Sequence, residues 1–452
     1  MEILKLTEIA DAVGGKAYGE AEINGVCIDT RKITKGCLFI CIKGERFDAH
    51  QFADEALEKG ACAVMIDEDI NPNGAYVKVE NTAKALLALG GYYRSKFDIP
   101  IVALTGSVGK TTTKEFTHLV VNAKYNAIKT QGNLNNEIGL PQMLFQIDNS
   151  VEAAVIEMGM NHFGEISRLV HATKPTIAVI TNIGVSHIEN LGSRDGILKA
   201  KLEITEGLEE GAPLILNGDD DKLCSVASDK HRIYFYGTNN GDFKAENNAQ
   251  SDGKTSFDIS FFGKTQSVVI PTIGIHNVYN ALCAFAVGYF LGVDPDKSAN
   301  ALAQYVPAGM RQRVVKVGKI TSIEDCYNAS PDSMKASLRT LRDTKGSKKI
   351  AVLGDMLELG DYAEKAHSLV GEMVAENKID YLLAYGSDAK YYVDSAKRGG
   401  VENALLFDDK SLLAEKLLQI AGEGDIVIFK GSRGMKLEEI MQIVYKEWEN
   451  NE

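Results

Sequence analysis

The stretch 101–115, IVALTGSVGKTTTKE, restricts what this chain can fold into more than any other. An apolar strand runs into Gly106, turns again at Gly109 and enters a helix on Lys110-Thr111. Glycines at those points let backbone N–H groups turn inward around phosphate oxygens. The helix N-terminus adds its dipole to the same place. A lysine there reaches the β/γ-phosphates, and the Thr111 hydroxyl suits Mg²⁺. The usual spacing G-x-x-x-x-G-K-[ST] would need glycine at 104, where Leu104 stands, so the loop is the shorter G-x-x-G-K-T. A site for ATP or GTP on a parallel α/β sheet follows.

The rest of the chain fits that fold class. A domain takes roughly 100–200 residues, so 452 residues suggest two to four domains. Residues 1–98 mix short strands (37–44, 62–67) with helices over 50–61 and 81–97, the latter opening on Asn81 as an N-cap. Residues 99–310 alternate strands (101–106, 153–159, 176–182, 213–218) with helical patterns, then show a hairpin over 256–270 turning at Gly263 and Lys264. Residues 311–452 open with a strand pair and alternate again, with strands over 349–354, 380–386, 404–408 and 425–431. The expectation is α/β throughout, in three domains: a small mixed N-terminal domain, a central P-loop ATPase-like parallel-sheet domain, and a C-terminal Rossmann-like domain.

Several classes fall away. Asn377-Lys378-Ile379-Asp380 matches the guanine-reading N-K-x-D, but it follows a helical pattern in the third block, and no D-x-x-G occurs between Thr111 and Ala200. A helix-end turn is the better reading, and with it a GTP-dependent switch loses its support. A net charge of −13 argues against bulk nucleic acid or an anionic membrane as partner. The longest apolar run, 281–293, is too short to span a bilayer and reads as a buried helix. Seven cysteines without C-x-x-C read as reduced, mostly buried thiols. Glu2 stands where a secretory leader carries positive charge, so a cytoplasmic protein is expected, with a monomer as the default.

Other candidate residues sit at the ends of predicted strands. Glu157 closes one, and Asn182 and His187 follow the next, an acid and an imidazole suited to Mg²⁺ and phosphate. The amides Asn133, Asn135 and Asn136 in GNLNNEIGLP form either a turn or contacts to a sugar or peptide. Asn277 and Asn280 share a helix face and serve either as caps or as readers of an adenine edge. The pattern over 196–208 is helical, and spacing alone puts Lys201 on a solvated face.

TGSVGKTTTKE, GNLNNEIGLP, EMGM, TNIGVSH, AKLEI, GIHNVYNA, IEDCYNASPDSM and KGSRGMKLE follow in this order over most of the chain. They resemble the Mur ligases, ATP-dependent amide-bond ligases of peptidoglycan precursor synthesis. Folylpolyglutamate synthetase is a more distant relative and the alternative. DCYNASPDSM (325–334), LGDMLELG (353–360) and the segment 29–52 are similar to the branch that joins D-alanyl-D-alanine to UDP-N-acetylmuramoyl-tripeptide. The D-Y-A-H-x-P and D-N-P-R motifs of the branch that adds lysine or diaminopimelate are absent.

The resemblance implies roles. Gly106, Ser107, Val108, Gly109, Lys110, Thr111 and Thr112 would cradle ATP, with Lys110 on the phosphates and Thr111 on Mg²⁺. Glu157 and His187 would be metal ligands, and Lys201 matches a lysine that is carbamylated in the family. Asn277 and Asn280 match adenine contacts, Asp325 a ribose contact, and Tyr327-Asn328 its neighbouring loop. Arg311, rather than Arg313, matches the arginine that reaches the phosphates. Thr30, Arg31, Gly44, Arg46, Phe47 and Asp48 correspond to the UDP-sugar region, and Lys430, Ser432 and Arg433 to that of the incoming amine. The family commonly has D-x-Y-N-A-N-P, whereas this chain carries Ser330 in place of the second asparagine.

Overall fold

The computed structural model describes residues 1–44, 47–251, 253–307 and 309–450. A nine-stranded sheet forms its centre. The phosphate-loop strand Ile101–Thr105 lies between Ala153–Glu157 and Ile177–Ile180, parallel to both. Pro213–Asn217 and Arg232–Gly237 continue the sheet in parallel beyond Ile177–Ile180. The three strands around the phosphate loop are buried along their length, as strands covered on both faces must be. Parallel pairing sends every strand's C-terminus to one edge. Gly106, Glu157, Thr181 and Asn217 therefore come together although they are far apart in sequence.

The far side of this sheet ends in antiparallel strands Phe243–Ser251, Lys254–Phe261 and Lys264–Ile270. The hairpin turns one residue earlier than the Gly263-Lys264 pair suggests. Phe262 and Gly263 occupy the turn with φ of 45° and 76°, and Phe261 pairs with Lys264. Two positive φ values are what a tight two-residue hairpin turn requires. Helix Lys110–Asn122 packs on helix Ile275–Phe290, the buried helix expected near 281–293. A Cβ at Gly288 would stand 2.4 Å from Val120 Cγ1, so glycine there sets the helix spacing.

The N-terminal block forms a five-stranded sheet with Cys37–Ile40 and Ala63–Ile66 among its inner strands, plus a two-stranded ribbon. Helix Thr82–Arg94 begins, as expected, at Asn81, whose side chain accepts from Lys84 N. This helix belongs to two cores at once. Leu86, Leu89 and Tyr93 join Leu4 and Ile9 on one side and Met143, Leu144 and Leu169 on the other in one buried cluster. Its Gly90-Gly91 pair costs helix propensity but allows close approach. A Cβ at Gly90 would lie 2.9 Å from Pro141 Cβ, and one at Gly91 3.1 Å from Ala172 Cα.

The C-terminal block is a six-stranded sheet, parallel except for the opening pair Arg313–Val317 and Ile320–Asp325. Among the described residues, its two buried clusters draw no residue before Met310. Ser330 caps helix Pro331–Asp343 in a capping box with Ser333, which gives the departing serine a structural role. The helix Ala363–Glu376 ends at Asn377, whose side chain donates to Met373 O, so N-K-x-D is the expected helix-end turn. All seven cysteines are free, with Cys62 and Cys224 exposed. Among the described residues no helix is long and apolar enough to cross a membrane.

The Tyr93 hydroxyl donates to Ile147 O at 2.6 Å and accepts from Glu2 N at 2.8 Å. Tyr93→Phe strands the buried carbonyl and should lower the unfolding free energy by about 1–2 kcal/mol in a urea titration.

Candidate active site

A cavity of about 680 Å³ opens at the C-terminal edge of the central sheet and is bordered by the third domain as well. Its floor is the phosphate loop. The loop is shaped chiefly by the next strand end. Asn182 Oδ1 accepts from Val108 N and Asn182 Nδ2 donates to Val108 O, both at 2.9 Å. Thr181 Oγ1 also donates to Val108 O, at 2.8 Å. A Cβ at Gly106 would fall 1.8 Å from Thr181 Oγ1, so only glycine fits beneath it. Gly109 enters the helix at φ 81°, and a Cβ there would approach Asn280 Oδ1 to 3.0 Å.

Lys110 folds back to donate to Gly106 O at 2.8 Å. Burial holds its ammonium below the ordinary value, with Glu157 opposing and Arg311 reinforcing. Glu157 is buried rather than the surface carboxylate that a lone acid suggests. Its Oε2 accepts from Thr111 Oγ1 at 3.1 Å and its Oε1 from Asn135 Nδ2 at 3.0 Å. His187 adopts φ 62°, and burial first, then the charges of Lys110 and Lys201, push it down to about 4. It is therefore neutral at pH 7, the form that binds a metal.

Lys201 corrects the reading from spacing. The helix runs only from Arg194 to Leu202, and Lys201 is 2% exposed on its inner face. Burial, with Lys110 adding to it, drives its pKa well below the ordinary value. The solvated-face reading failed because the 3.6-residue period cannot distinguish a solvated polar face from a buried polar site.

Asn277 and Asn280 line the cavity and do not cap, since the cap position is Gly274. Asn277 Nδ2 donates to Ile273 O at 2.8 Å, and Asn280 Oδ1 accepts from Thr113 Oγ1 at 3.0 Å. From the third domain, the Arg311 guanidinium stacks 3.9 Å over the Tyr327 ring. Arg313 instead points from its strand to Glu324. Asp325 and Lys430 face each other in register across two strands and pair at 2.8 Å. Lys430 also donates to Asn328 O at 3.2 Å.

Not all candidates meet here. Ser107, Val108, Thr112, Asn135, Asn136, Tyr327 and Asn328 border the cavity. Asn136 nevertheless commits its Oδ1 to Gly139 N, as a turn, and Asn133 is exposed and outside the lining. Ser432 and Arg433 lie off the lining; Ser432 Oγ accepts from Leu357 N, and Arg433 pairs with Glu438. Thr30, Arg31, Gly44, Phe47 and Asp48 sit on the first domain, away from this cavity. Arg31 is exposed and paired with Asp29, and Asp48 with His50. Arg46 lies outside the described residues.

Three features escaped the sequence reading. Lys114 is buried with Nζ 3.8 Å from Glu157 Oε2 and 3.2 Å from Glu115. Asp219 accepts from Tyr279 Oη, Thr238 N and Asn240 N at the cavity wall. Asp332 reaches in from the third domain. The run NGDDD at a strand's C-terminal end was a usable signal for Asp219, whereas nothing local marks Lys114 or Asp332.

Comparison with known proteins decides the family. The chain matches the Mur ligase family catalytic domain over residues 22–90, the Mur ligase middle domain over 104–288, and the Mur ligase glutamate ligase domain over 310–433. It is 41% identical to the UDP-N-acetylmuramoyl-tripeptide–D-alanyl-D-alanine ligase of Bacillus subtilis, over 94% of each chain. The chain belongs to the Mur ligase family. Among solved Mur ligases it superposes on MurF from Acinetobacter baumannii with a TM-score of 0.93, at 31% identity and 99% coverage of both chains. With MurF from Thermotoga maritima in complex with ADP the TM-score is 0.87, at 28% identity over 94% of this chain and 98% of that one.

The Asn182 clamp is testable in this setting. Asn182→Ala frees the Val108 amide and removes one of the two donors to its carbonyl, two bonds of about 1 kcal/mol each, so ADP should bind roughly tenfold or more weakly by calorimetry.

Proposed function

We propose that the chain ligates D-alanyl-D-alanine to UDP-N-acetylmuramoyl-tripeptide at the expense of ATP, a step of peptidoglycan precursor synthesis in the cytoplasm. The observation that carries this reading is a shared cavity where the phosphate loop faces Arg311 and Tyr327 of another domain. Such a site is built to transfer a phosphoryl group and then hold its acceptor. Relatives named for this ligation at full length support the same conclusion.

The reaction runs in two steps. The tripeptide's terminal carboxylate oxygen attacks the γ-phosphorus, the bond to the β-phosphate bridging oxygen breaks, and ADP leaves. The amine of D-alanyl-D-alanine then attacks the acyl carbon, loses a proton, and expels phosphate as the amide forms. Lys110 and Arg311 neutralise the transferring charge, and the amides of Gly109, Lys110, Thr111 and Thr112 hold the phosphates in line. Asn277 and Asn280 take the adenine, and Asp325 the ribose.

The donor set fits Mg²⁺. Thr111 and Glu157 offer hard oxygens within 3.1 Å of each other, and His187 is neutral. Bound there, the ion would neutralise phosphate charge. Lys201 is a buried amine biased towards its neutral form, the form that takes up carbon dioxide as a carbamate and becomes an oxygen donor.

We assign residues 1–98 to the UDP-sugar, through Thr30, Arg31, Gly44, Arg46, Phe47 and Asp48, and residues 99–310 to ATP. Residues 311–452 take the incoming dipeptide near Lys430, Ser432 and Arg433, and the chain works as a monomer.

Mass spectrometry of products with lysine- and diaminopimelate-containing tripeptides tests the reaction; ADP turnover with no pentapeptide product when D-alanyl-D-alanine is present would refute it. Lys110→Ala should cut ADP formation by at least about 100-fold while the UDP-tripeptide still binds. Lys201→Ala should lose activity by about 100-fold and regain part of it with acetate or propionate, whereas an unimpaired variant would remove the carbamate.

A further inference from the structure

The third domain meets the central one along residues 181–187, a loop with two working faces. One face grips the phosphate loop. Besides the Asn182 clamp, Gly184 N donates to Ser107 Oγ at 2.9 Å. The other face meets the third domain. Val185 N donates to Asp332 Oδ2 at 3.3 Å, and Glu358 Oε2 lies 3.6 Å from His187 Nδ1.

Asp332 is free for this task. It is in the first turn of helix Pro331–Asp343, but Ser330 already caps that helix. The residue as a whole stays exposed at the edge of the gap, while desolvation of its carboxyl against the loop raises it above the ordinary value. Gly184 stands in the gap. A Cβ there would lie 2.1 Å from Asp332 Oδ2 and 3.2 Å from Ser107 Cβ. A side chain at 184 would have to push the Asp332 carboxylate off the Val185 amide, so glycine there lets that contact stand.

We infer that Asp332 is a positioning residue that docks the third domain on the backbone at Gly184-Val185 and, through Gly184 and Ser107, ties that docking to the phosphate loop. The inference rests on the ligase reading for its effect on rate, because Arg311 and Tyr327 reach the phosphates only when this domain is docked. The docking itself does not depend on which substrates are joined.

The test is a double-mutant cycle on the full chain with Gly184→Ala, Asp332→Ala and the pair. Each single variant should lower kcat by about 10–100-fold, the cost of misplacing reacting groups by an ångström. Asp332→Ala should leave ADP affinity within about threefold, and Asp332→Asn, which keeps an acceptor, should restore most of kcat. The pair should be no slower than Asp332→Ala alone, because the carboxylate oxygen that the added methyl group would strike is gone. Small-angle scattering with saturating ADP should show both single variants more extended than the parent. Losses that multiply in the pair, or scattering profiles that superpose on the parent's, would overturn the inference. A parent chain that ligates nothing, yet shows the scattering difference, would refute the ligase reading and leave the docking intact.

Discussion

The structure turns on the grip of Asn182 and Thr181 on Val108. A phosphate loop is a row of backbone amides with no partner of their own, so a bare loop of this length has little reason to keep one shape. Here the amide and carbonyl at its centre are bonded to the neighbouring strand end before any nucleotide arrives. The arrangement needs Ile177–Ile180 beside Ile101–Thr105 and parallel to it, since an antiparallel neighbour would put Thr181 at the opposite edge. It also needs glycine at 106, where Thr181 Oγ1 takes the space of a side chain. Sheet topology, loop shape and the choice of glycine are one constraint seen at three scales.

Charge in this site works against the average of the chain. A net charge of −13 describes the surface, where salt screens interactions beyond about 8 Å. Lys110 feels the charge of Arg311, and Lys201, buried off the cavity lining, feels that of Lys110; burial and these positive neighbours both disfavour the charged forms of the two lysines. Glu157 offsets part of that, with Lys114 held against it. Such a cluster is poorly satisfied by protein alone and well satisfied by a triphosphate. The affinity for a polyanion therefore resides in a few desolvated cations and amides, and the acidic surface serves solubility.

Elements with a strong period or a strict loop signature were legible in the sequence. The phosphate loop, helix Thr82–Arg94 with its Asn81 cap, and the apolar strands of both larger sheets are local patterns whose physics is complete within a dozen residues. Short strands such as Lys16–Tyr18 and Ala127–Lys129 were not, because their stability comes from neighbours distant in sequence. The site divides in the same way. Lys110 is readable from its loop alone, whereas Lys201 is a basic residue in a polar helix until the fold buries it. Gly184 and Asp332 are far apart in the chain, and their fit exists only between two domains.

The three domains are not joined alike. The first two share one buried apolar cluster through helix Thr82–Arg94, with Gly90 and Gly91 allowing close approach, so separating them would expose a core to water. The third meets the others at this site through polar contacts, Asp332 on Val185 and Glu358 near His187, which water can replace at little cost. Apolar burial fixes a geometry, while a few hydrogen bonds leave it adjustable. A reaction that forms an acyl phosphate needs both. The nucleotide must rest on something rigid, and the covering domain must open for substrates and close to exclude water. The chain places its continuous core beneath the phosphate loop and its replaceable contacts above it, so the part that moves is the part whose contacts are easiest to exchange.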